Sequence, residues 1–270
     1  MPFVNYLTES GTTVRGLPVM ERENKNLTTL ILAAGKGKRM KSDLPKVMHL
    51  LGGKPMLYYP LTLARQLKST RIIVVIGHGA PMVREAFAGD DIFFAEQHLQ
   101  LGTGHAVFMA RDYLAETSGS VLILCGDVPL LRLQTVASFL NYHHKIEATV
   151  TVMTAEVPDP GAYGRIIKDG KGQVKKIVEA RDASLEERQI KEINTGIYCA
   201  EAPFLYEAVG LLDNKNAQEE FYLTDIMAIA YTQGYKTAAF PVENTEEVMG
   251  INTPEELQKA EQILARGTLC

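Results

Sequence analysis

The stretch TTLILAAGKGKRMKSDLPK, residues 28–46, decides how the rest of the chain is read. Its first half is a short apolar run ending in Ala33-Ala34-Gly35, the pattern of a buried strand entering a glycine turn. Its second half is Gly35-Lys36-Gly37-Lys38-Arg39-Met40, followed by Leu44-Pro45-Lys46. Between positions 36 and 46 it holds five basic residues and one acid, Asp43. A strand that opens into such a loop puts bare backbone N–H groups at the carboxyl edge of a sheet, and glycines let a phosphate approach them closely. Arg39 and Lys46 add side-chain charge, each charge-assisted contact contributing roughly 1.5–3 kcal/mol. No Gly-Lys-Ser/Thr closes the loop as in a Walker A motif, and the third glycine of a dinucleotide fingerprint is missing. Taken alone, Gly-x-Gly is as compatible with a basic solvated turn. Arg39, Pro45 and Lys46 beside it favour phosphate binding.

Outward from this loop, apolar strands alternate with helical spacings. Helices are expected over residues 56–67 (with Pro60 in the first turn or at a kink), 81–88, 104–114 and 133–142. Strands are expected over 71–77, 92–95, 121–124 and 148–153. This alternation predicts an α/β fold with a Rossmann-like, doubly wound, mostly parallel sheet. After Met153 the rhythm changes. Gly161, Gly164, Gly170 and Gly172 punctuate short polar strands, which predicts a small antiparallel lobe. A strand over 196–200, a helix over 223–232 and a strand over 236–242 follow. The last helix is the best signalled: Thr253 as N-cap, Pro254 in the first turn and Glu256 completing a capping box.

The whole chain bounds the function classes. It has 270 residues, 46% hydrophobic and 22% charged, and a formal net charge of -4. A local cationic loop on a mildly acidic chain suits a small polyanion and gives no global field for nucleic acid or membrane. No apolar run approaches the ~18 residues of a membrane span. Residues 1–27 carry no apolar signal-peptide core and are expected to be a mobile extension. Cys125, Cys199 and Cys270 have no metal-ligand spacing and read as reduced thiols of a cytoplasmic protein. The six histidines show no metal or triad spacing. His105 reads as structural, and His143-His144 as a solvated helix end.

Several residues carry both a plain and a chemical reading. Gln97 is a surface amide or, offering donor and acceptor together, a reader of an imide edge. Asp127 follows a buried strand and a glycine, so it is a turn aspartate or a carboxylate at the ligand edge of the sheet. Asn252 is a capping residue or a neutral oxygen ligand. A carboxylate and an amide oxygen together suit Mg²⁺, which prefers hard oxygen donors and completes its shell with phosphate and water.

The loop resembles the nucleotide loop of sugar-phosphate nucleotidyltransferases, and the resemblance continues over roughly residues 28–265. Ala95-Glu96-Gln97 and Leu101-Gly102-Thr103-Gly104-His105-Ala106 are similar to the base-reading segments of bacterial N-acetylglucosamine-1-phosphate uridylyltransferases. Gly126-Asp127-Val128-Pro129-Leu130 resembles their metal-binding strand end, and Gly250-Ile251-Asn252 their second metal ligand. Tyr163-Gly164-Arg165-Ile166, Ile177-Val178-Glu179, Glu192-Ile193-Asn194-Thr195-Gly196 and residues 216–225 resemble their sugar-binding pieces.

That resemblance implies a role for each position. Leu32, Ala33, Ala34, Gly35, Gly37, Lys46, Gln97, Gly102 and Thr103 would bind the nucleotide. Gly164, Glu179, Asn194, Tyr222 and Thr224 would bind the sugar, and Asp127 and Asn252 would hold Mg²⁺. Arg39 and Lys46 would be catalytic. It implies transfer of UMP from UTP to N-acetylglucosamine-1-phosphate, with residues 28–153 mainly nucleotide-binding, 154–250 mainly sugar-binding, and 251–265 a closing helix. Two departures stand out. Cys125 occupies a place where these enzymes commonly carry tyrosine, and residues 252–255 match nucleotidyltransferases more generally. Many relatives carry a further acetyltransferase domain of hexapeptide repeats, and no such repeat occurs in these 270 residues. The alternatives left open are another sugar-1-phosphate, such as glucose-1-phosphate, and a non-catalytic nucleotide-binding regulator on the same fold.

Overall fold

The computed structural model describes residues 26–266 and, ahead of them, an antiparallel pair of short strands, Asn5–Leu7 and Thr13–Arg15. The remainder of the expected extension, and Cys270, lie outside the described residues.

Nine strands form one mixed sheet. In chain order they are β1 (Leu27–Ala33), β2 (Arg71–Ile76), β3 (Ile92–Glu96), β4 (Ser120–Cys125), β5 (Val150–Glu156), β6 (Arg165–Lys168), β7 (Val174–Val178), β8 (Glu192–Glu201) and β9 (Thr237–Pro241). Parallel ladders join β3, β2, β1 and β4 in that order. The strand β8 then lies antiparallel between β4 and β5, and β9 continues parallel to β5. The β6–β7 hairpin attaches antiparallel through Arg165 opposite Ile193 of β8. The small antiparallel part is thus grafted onto the main sheet through one long strand. That strand pairs with β5 on both sides of a register shift between Asn194 and Tyr198.

The continuous apolar runs are explained by burial on both faces. Successive residues of β2 alternate: Ile73 and Val75 join one core, while Ile72, Val74 and Ile76 join the other. The helices covering these cores are α1 (Tyr58–Gln66), α2 (Ala80–Phe87), α3 (Thr103–Met109), α4 (Arg111–Ala115), α5 (Leu133–Lys145), α6 (Ala202–Ala208) and α7 (Asp225–Thr232), while α8 (Pro254–Ala265) packs in a small third core. Pro60 sits in the first turn of α1, where a missing N–H breaks no helical bond. The capping box of α8 forms as the sequence predicts: Glu256 N donates to Thr253 Oγ1 at 3.2 Å, and Thr253 N donates to Glu256 Oε2 at 3.0 Å.

Three local expectations change. The single helix expected over 104–114 is two, broken at Ala110. The break turns α4 onto α6, where the Arg111 guanidinium stacks 4.1 Å from the Tyr206 ring and donates to Tyr206 O. The helix α6 was not expected. The helix α5 runs three residues past Tyr142 and carries His143 into the interior, 1% exposed, in place of a solvated end. Burial is tolerated because both ring nitrogens find partners: Nδ1 lies 2.8 Å from Thr151 Oγ1 and Nε2 3.2 Å from Glu201 Oε1. Among the described residues, no helix is long and apolar enough to cross a membrane.

Candidate active site

The carboxyl ends of β1, β2, β3 and β4 share one edge of the sheet, the edge where open α/β sheets bind ligands. A cleft of about 320 Å³ lies there. Leu32, Ala33, Ala34 and Gly35 line it from the end of β1, Gln97 from the end of β3, and Gly102 and Thr103 from the start of α3. Lys46 and Asp127 form its charged floor. The chain between β1 and Lys46 folds as a tight turn, residues 38–40, that buries Met40 and leaves Arg39 exposed. Gly37 is required in this turn on two counts. Its φ is +61°, and a Cβ there would lie 2.7 Å from Lys46 Cβ.

Lys46 is the hub of the site. Its Nζ forms a short ion pair with Asp127 Oδ2 and donates to Asn252 Oδ1 at 3.0 Å, so residues 81 and 206 positions away meet on one ammonium. The side chains of Lys46 and Asp127 are only 15% and 19% exposed. Backbone bonds fix the convergence: Ile251 N donates to Asp127 O at 2.8 Å, and Asn252 N donates to Glu256 Oε2 at 2.6 Å.

Gln97 is 3% exposed and its amide is oriented. Nε2 donates to Gly102 O at 3.0 Å and lies 3.0 Å from His105 Nδ1. His105 is therefore structural in a specific sense: it turns the amide nitrogen of Gln97 toward the protein. Gly102 has φ +109°, and a Cβ would lie 2.5 Å from Phe221 O, so the start of α3 is pressed against a distant segment. The bonds Phe221 N to Leu101 O and Gly104 N to Phe221 O, both 2.8 Å, make that junction. Thr103 Oγ1 accepts from Leu223 N at 3.1 Å, joining the two halves of the site.

On the antiparallel side, Gly164, Glu179, Asn194 and Thr224 come together. A Cβ on Gly164 would lie 3.5 Å from Glu179 Oε1 and 3.6 Å from Asn194 Cβ. Thr224 Oγ1 donates to Glu179 Oε1 at 3.3 Å, and Asn194 Oδ1 accepts from Gly196 N and Tyr198 OH. Burial pushes the Glu179 carboxyl up, opposed by the Thr224 hydrogen bond. Tyr222 is buried close by, but its hydroxyl is committed to Asp182 Oδ2 at 3.1 Å and to Gln218 Nε2 at 2.8 Å. Asp225 is pushed up to about 6, by burial first and then by the charges of Asp213 and Asp182.

The structure brings four further residues to this region: Gln100 and Glu220, which sequence reasoning did not single out, and Cys125 and Tyr163, which it named without assigning them a role. Gln100 and Glu220 line the cleft, and Gln100 Nε2 donates to Gln97 O at 2.9 Å. Cys125 also lines it. Its thiol donates to Gly196 O at 3.4 Å and is pushed up to about 12 by burial and by the charge of Asp127, so it stays a neutral thiol. Tyr163 meets the Gly250 backbone, and its hydroxyl is raised chiefly by burial, with Asp127 and Arg39 both within electrostatic reach.

A mixed sheet whose parallel strands end at a phosphate-type loop, an acid and an amide gathered on a lysine, and an oriented amide beyond them are the marks of a nucleotide-handling α/β protein. The sequence profile of the nucleotidyl transferase family matches residues 28–248, and the chain belongs to that family. Among curated proteins, it is 51% identical over 236 residues to a protein named bifunctional protein GlmU from Geobacter sulfurreducens. That match covers 87% of this chain and 50% of the relative. A protein of the same name from Geotalea daltonii is 49% identical over 239 residues, covering 88% of this chain and 52% of the relative. The one from Halalkalibacterium halodurans is 44% identical over 241 residues, covering 89% and 53%. The chain spans about half the length of these relatives. Among solved structures, a Bacillus anthracis protein assigned as a glucose-1-phosphate thymidylyltransferase, in complex with sucrose, superposes with a TM-score of 0.69. That likeness covers 88% of this chain and 94% of that one at 19% identity, and it shows the shared fold.

Proposed function

We propose that this chain transfers UMP from UTP to N-acetylglucosamine-1-phosphate, giving UDP-N-acetylglucosamine and pyrophosphate. The observation that carries the reading is the meeting of Lys46, Asp127 and Asn252 at the floor of the cleft. Half-identity to proteins named bifunctional protein GlmU supports the substrate pair.

The reaction is an in-line displacement. A phosphate oxygen of the sugar-1-phosphate attacks the α-phosphorus of UTP, the new P–O bond forms, and pyrophosphate leaves with the electron pair of the broken one. The attacking oxygen is already anionic, so no protein nucleophile or general base is required. The chain supplies position and positive charge. Backbone N–H groups around Gly35 and Gly37 face the triphosphate. A Cβ at Gly35 would meet no protein atom within 4 Å, and that open space belongs to the cleft. Lys46 and Arg39 neutralise charge gathering on the phosphates.

Asp127 and Asn252 fit a hard divalent cation such as Mg²⁺, because two oxygen donors already converge on one positive charge, the Lys46 ammonium. When bound, the metal would supply further charge neutralisation on the phosphates. On the base, the amide nitrogen of Gln97 is held by Gly102 O and His105, which would leave the carbonyl oxygen as the atom offered to a ligand. An acceptor at that point selects a ring N–H, which uracil carries at N3 and cytosine lacks. Across the junction, Glu179, Asn194, Thr224 and the Gly164 backbone form the pocket for the acetamido sugar, with Tyr222 buttressing it through Asp182.

Pyrophosphate release against a panel of triphosphates and sugar-1-phosphates tests this. UTP with N-acetylglucosamine-1-phosphate should give the highest kcat/KM. Equal rates with ATP would remove the uracil assignment, and a preference for glucose-1-phosphate would remove the acetamido pocket. No release with any pair would leave a binding protein.

A further inference from the structure

At the edge of the sheet opposite the cleft, His143, His144 and Glu201 each offer one donor atom, and all of these lie within 4.8 Å of one another. We propose that they form a second cation site, selective for a borderline divalent transition metal of the zinc type. It would tie the end of α5 to the ends of β4, β5 and β8. The site is roughly 20 Å from the cleft, the length of β4 at about 3.3 Å per residue.

The donors come from separate elements. His143 and His144 are the two residues before the last of α5, Glu201 ends β8, and Ser120 begins β4 directly opposite Glu201. His143 Nε2 lies 3.2 Å from Glu201 Oε1, Glu201 Oε1 accepts from Ser120 Oγ at 2.9 Å, and Ser120 Oγ lies 2.9 Å from His144 Nε2. Zinc held at about 2.0–2.1 Å by four ligands needs donors about 3.3–3.4 Å apart. The His143–Glu201 pair, at 3.2 Å, is close to this, the other donor pairs lie within 4.8 Å, and Glu201, 42% exposed, has room to adjust and leaves an entry path.

His143 is built as metal-binding histidines are. Its other nitrogen, Nδ1, lies 2.8 Å from the fully buried hydroxyl of Thr151, which orients the ring and leaves Nε2, now paired with Glu201, as the nitrogen that would take the ion on loss of its proton. Two imidazole nitrogens and one carboxylate favour zinc, cobalt or nickel over magnesium, which takes oxygen donors. Ser120 Oγ or water would complete the coordination. The two edges of one sheet thus sort cations by donor type, oxygen at the cleft and mainly nitrogen here.

The test uses the intact chain after chelator treatment, with excess Mg²⁺ present. Titration with Co²⁺ should give the visible absorption bands of a four- or five-coordinate ion at one equivalent, bleached by one equivalent of Zn²⁺. In a separate sample, Zn²⁺ should move the ring-proton resonances of His143 and His144 and leave those of His105 in place. His144→Ala and Glu201→Gln should each weaken Co²⁺ binding at least tenfold, whereas Asp127→Ala should not. The resonance shifts need no variant, so the test survives if a substitution fails to fold. Absence of the Co²⁺ bands, unmoved His143 and His144 resonances, or unchanged affinity in both variants would overturn the site.

Discussion

The two halves of the cleft are made by different means. On the side of the loop, the walls are strand ends and backbone: residues 32–35 and the start of α3, with Gly37 packed against Lys46. On the other side, the pocket is made of side chains held by one another: Glu179 by Thr224, Asn194 by Tyr198, Tyr222 by Asp182. Backbone carries no titratable charge, so the first half is set by geometry and by the single ion pair at Lys46. The second half is sensitive to burial and to proton uptake, as the raised carboxyls of Glu179 and Asp225 show. On the proposed function, the rigid cationic frame would meet a polyanion and the adjustable hydrogen-bonding groups an uncharged sugar ring.

The largest expected effect lies where the halves meet. Asp127→Ala should cut turnover about a thousandfold, roughly 4 kcal/mol of transition-state stabilisation, with little change in melting temperature. A near-normal rate with a lowered melting point would make Asp127 a turn residue and erase the shared centre. Next comes the side-chain half. Glu179→Ala removes a charged acceptor contributing about 2.5 kcal/mol, so KM for the sugar phosphate should rise roughly seventyfold while KM for UTP holds. Equal rises for both substrates would mean that the halves are not separable.

The backbone half should respond to a single methyl group. Gly37→Ala forces a Cβ into the left-handed region and against Lys46, at about 2 kcal/mol, and kcat/KM should fall roughly thirtyfold. A drop in melting temperature without a drop in rate would show that the loop does not set Lys46. The smallest effect is on stability. The Asp225 carboxyl ionises near pH 6 in the folded chain and near 3.8 unfolded, so its neutral form favours folding. That contribution is fully present below pH 3.8 and is lost as pH rises through about 6. Asp225→Asn should therefore melt roughly 2–4 °C above the parent at pH 7, about 1 kcal/mol after solvent screening, with the margin closing by pH 4. A constant margin across that range would locate the strain elsewhere.

The same division governs what the sequence discloses. In the backbone half, the loop was legible because glycines and a strand end are local signals, and residues 32–35 line the cleft; Gln97, Gly102 and Thr103, which line it too, were placed by resemblance, while α8 is capped as read. The antiparallel half was legible only through resemblance, since Glu179, Asn194 and Thr224 meet across separate elements. Glu220 escaped notice because it reaches the cleft through the backbone pairing of Phe221 with Leu101 and Gly104. The reversal of β8, the break at Ala110 and the burial of His143 rest on tertiary partners as well, and helical periodicity cannot report them. The helix α6 had a local signal, Pro203 ahead of Phe204, Leu205 and Ala208, but it abuts the apolar end of β8 and reads as more strand.

The helix α8 bears on where this domain can be cut. The family match stops at residue 248, yet Asn252 reaches Lys46 from beyond that point. Glu256, in the first turn of α8, holds the backbone N–H groups of both Asn252 and Thr253. Behind it, Ala260 and Ile263 pack with Leu51, Met56, Leu130 and Ile251 in a small core of their own. A fragment trimmed at the family boundary would keep the sheet and the loop but lose one arm of the charged floor and the clasp that positions it. The smallest portable unit of this site therefore includes a helix that touches no part of the cleft.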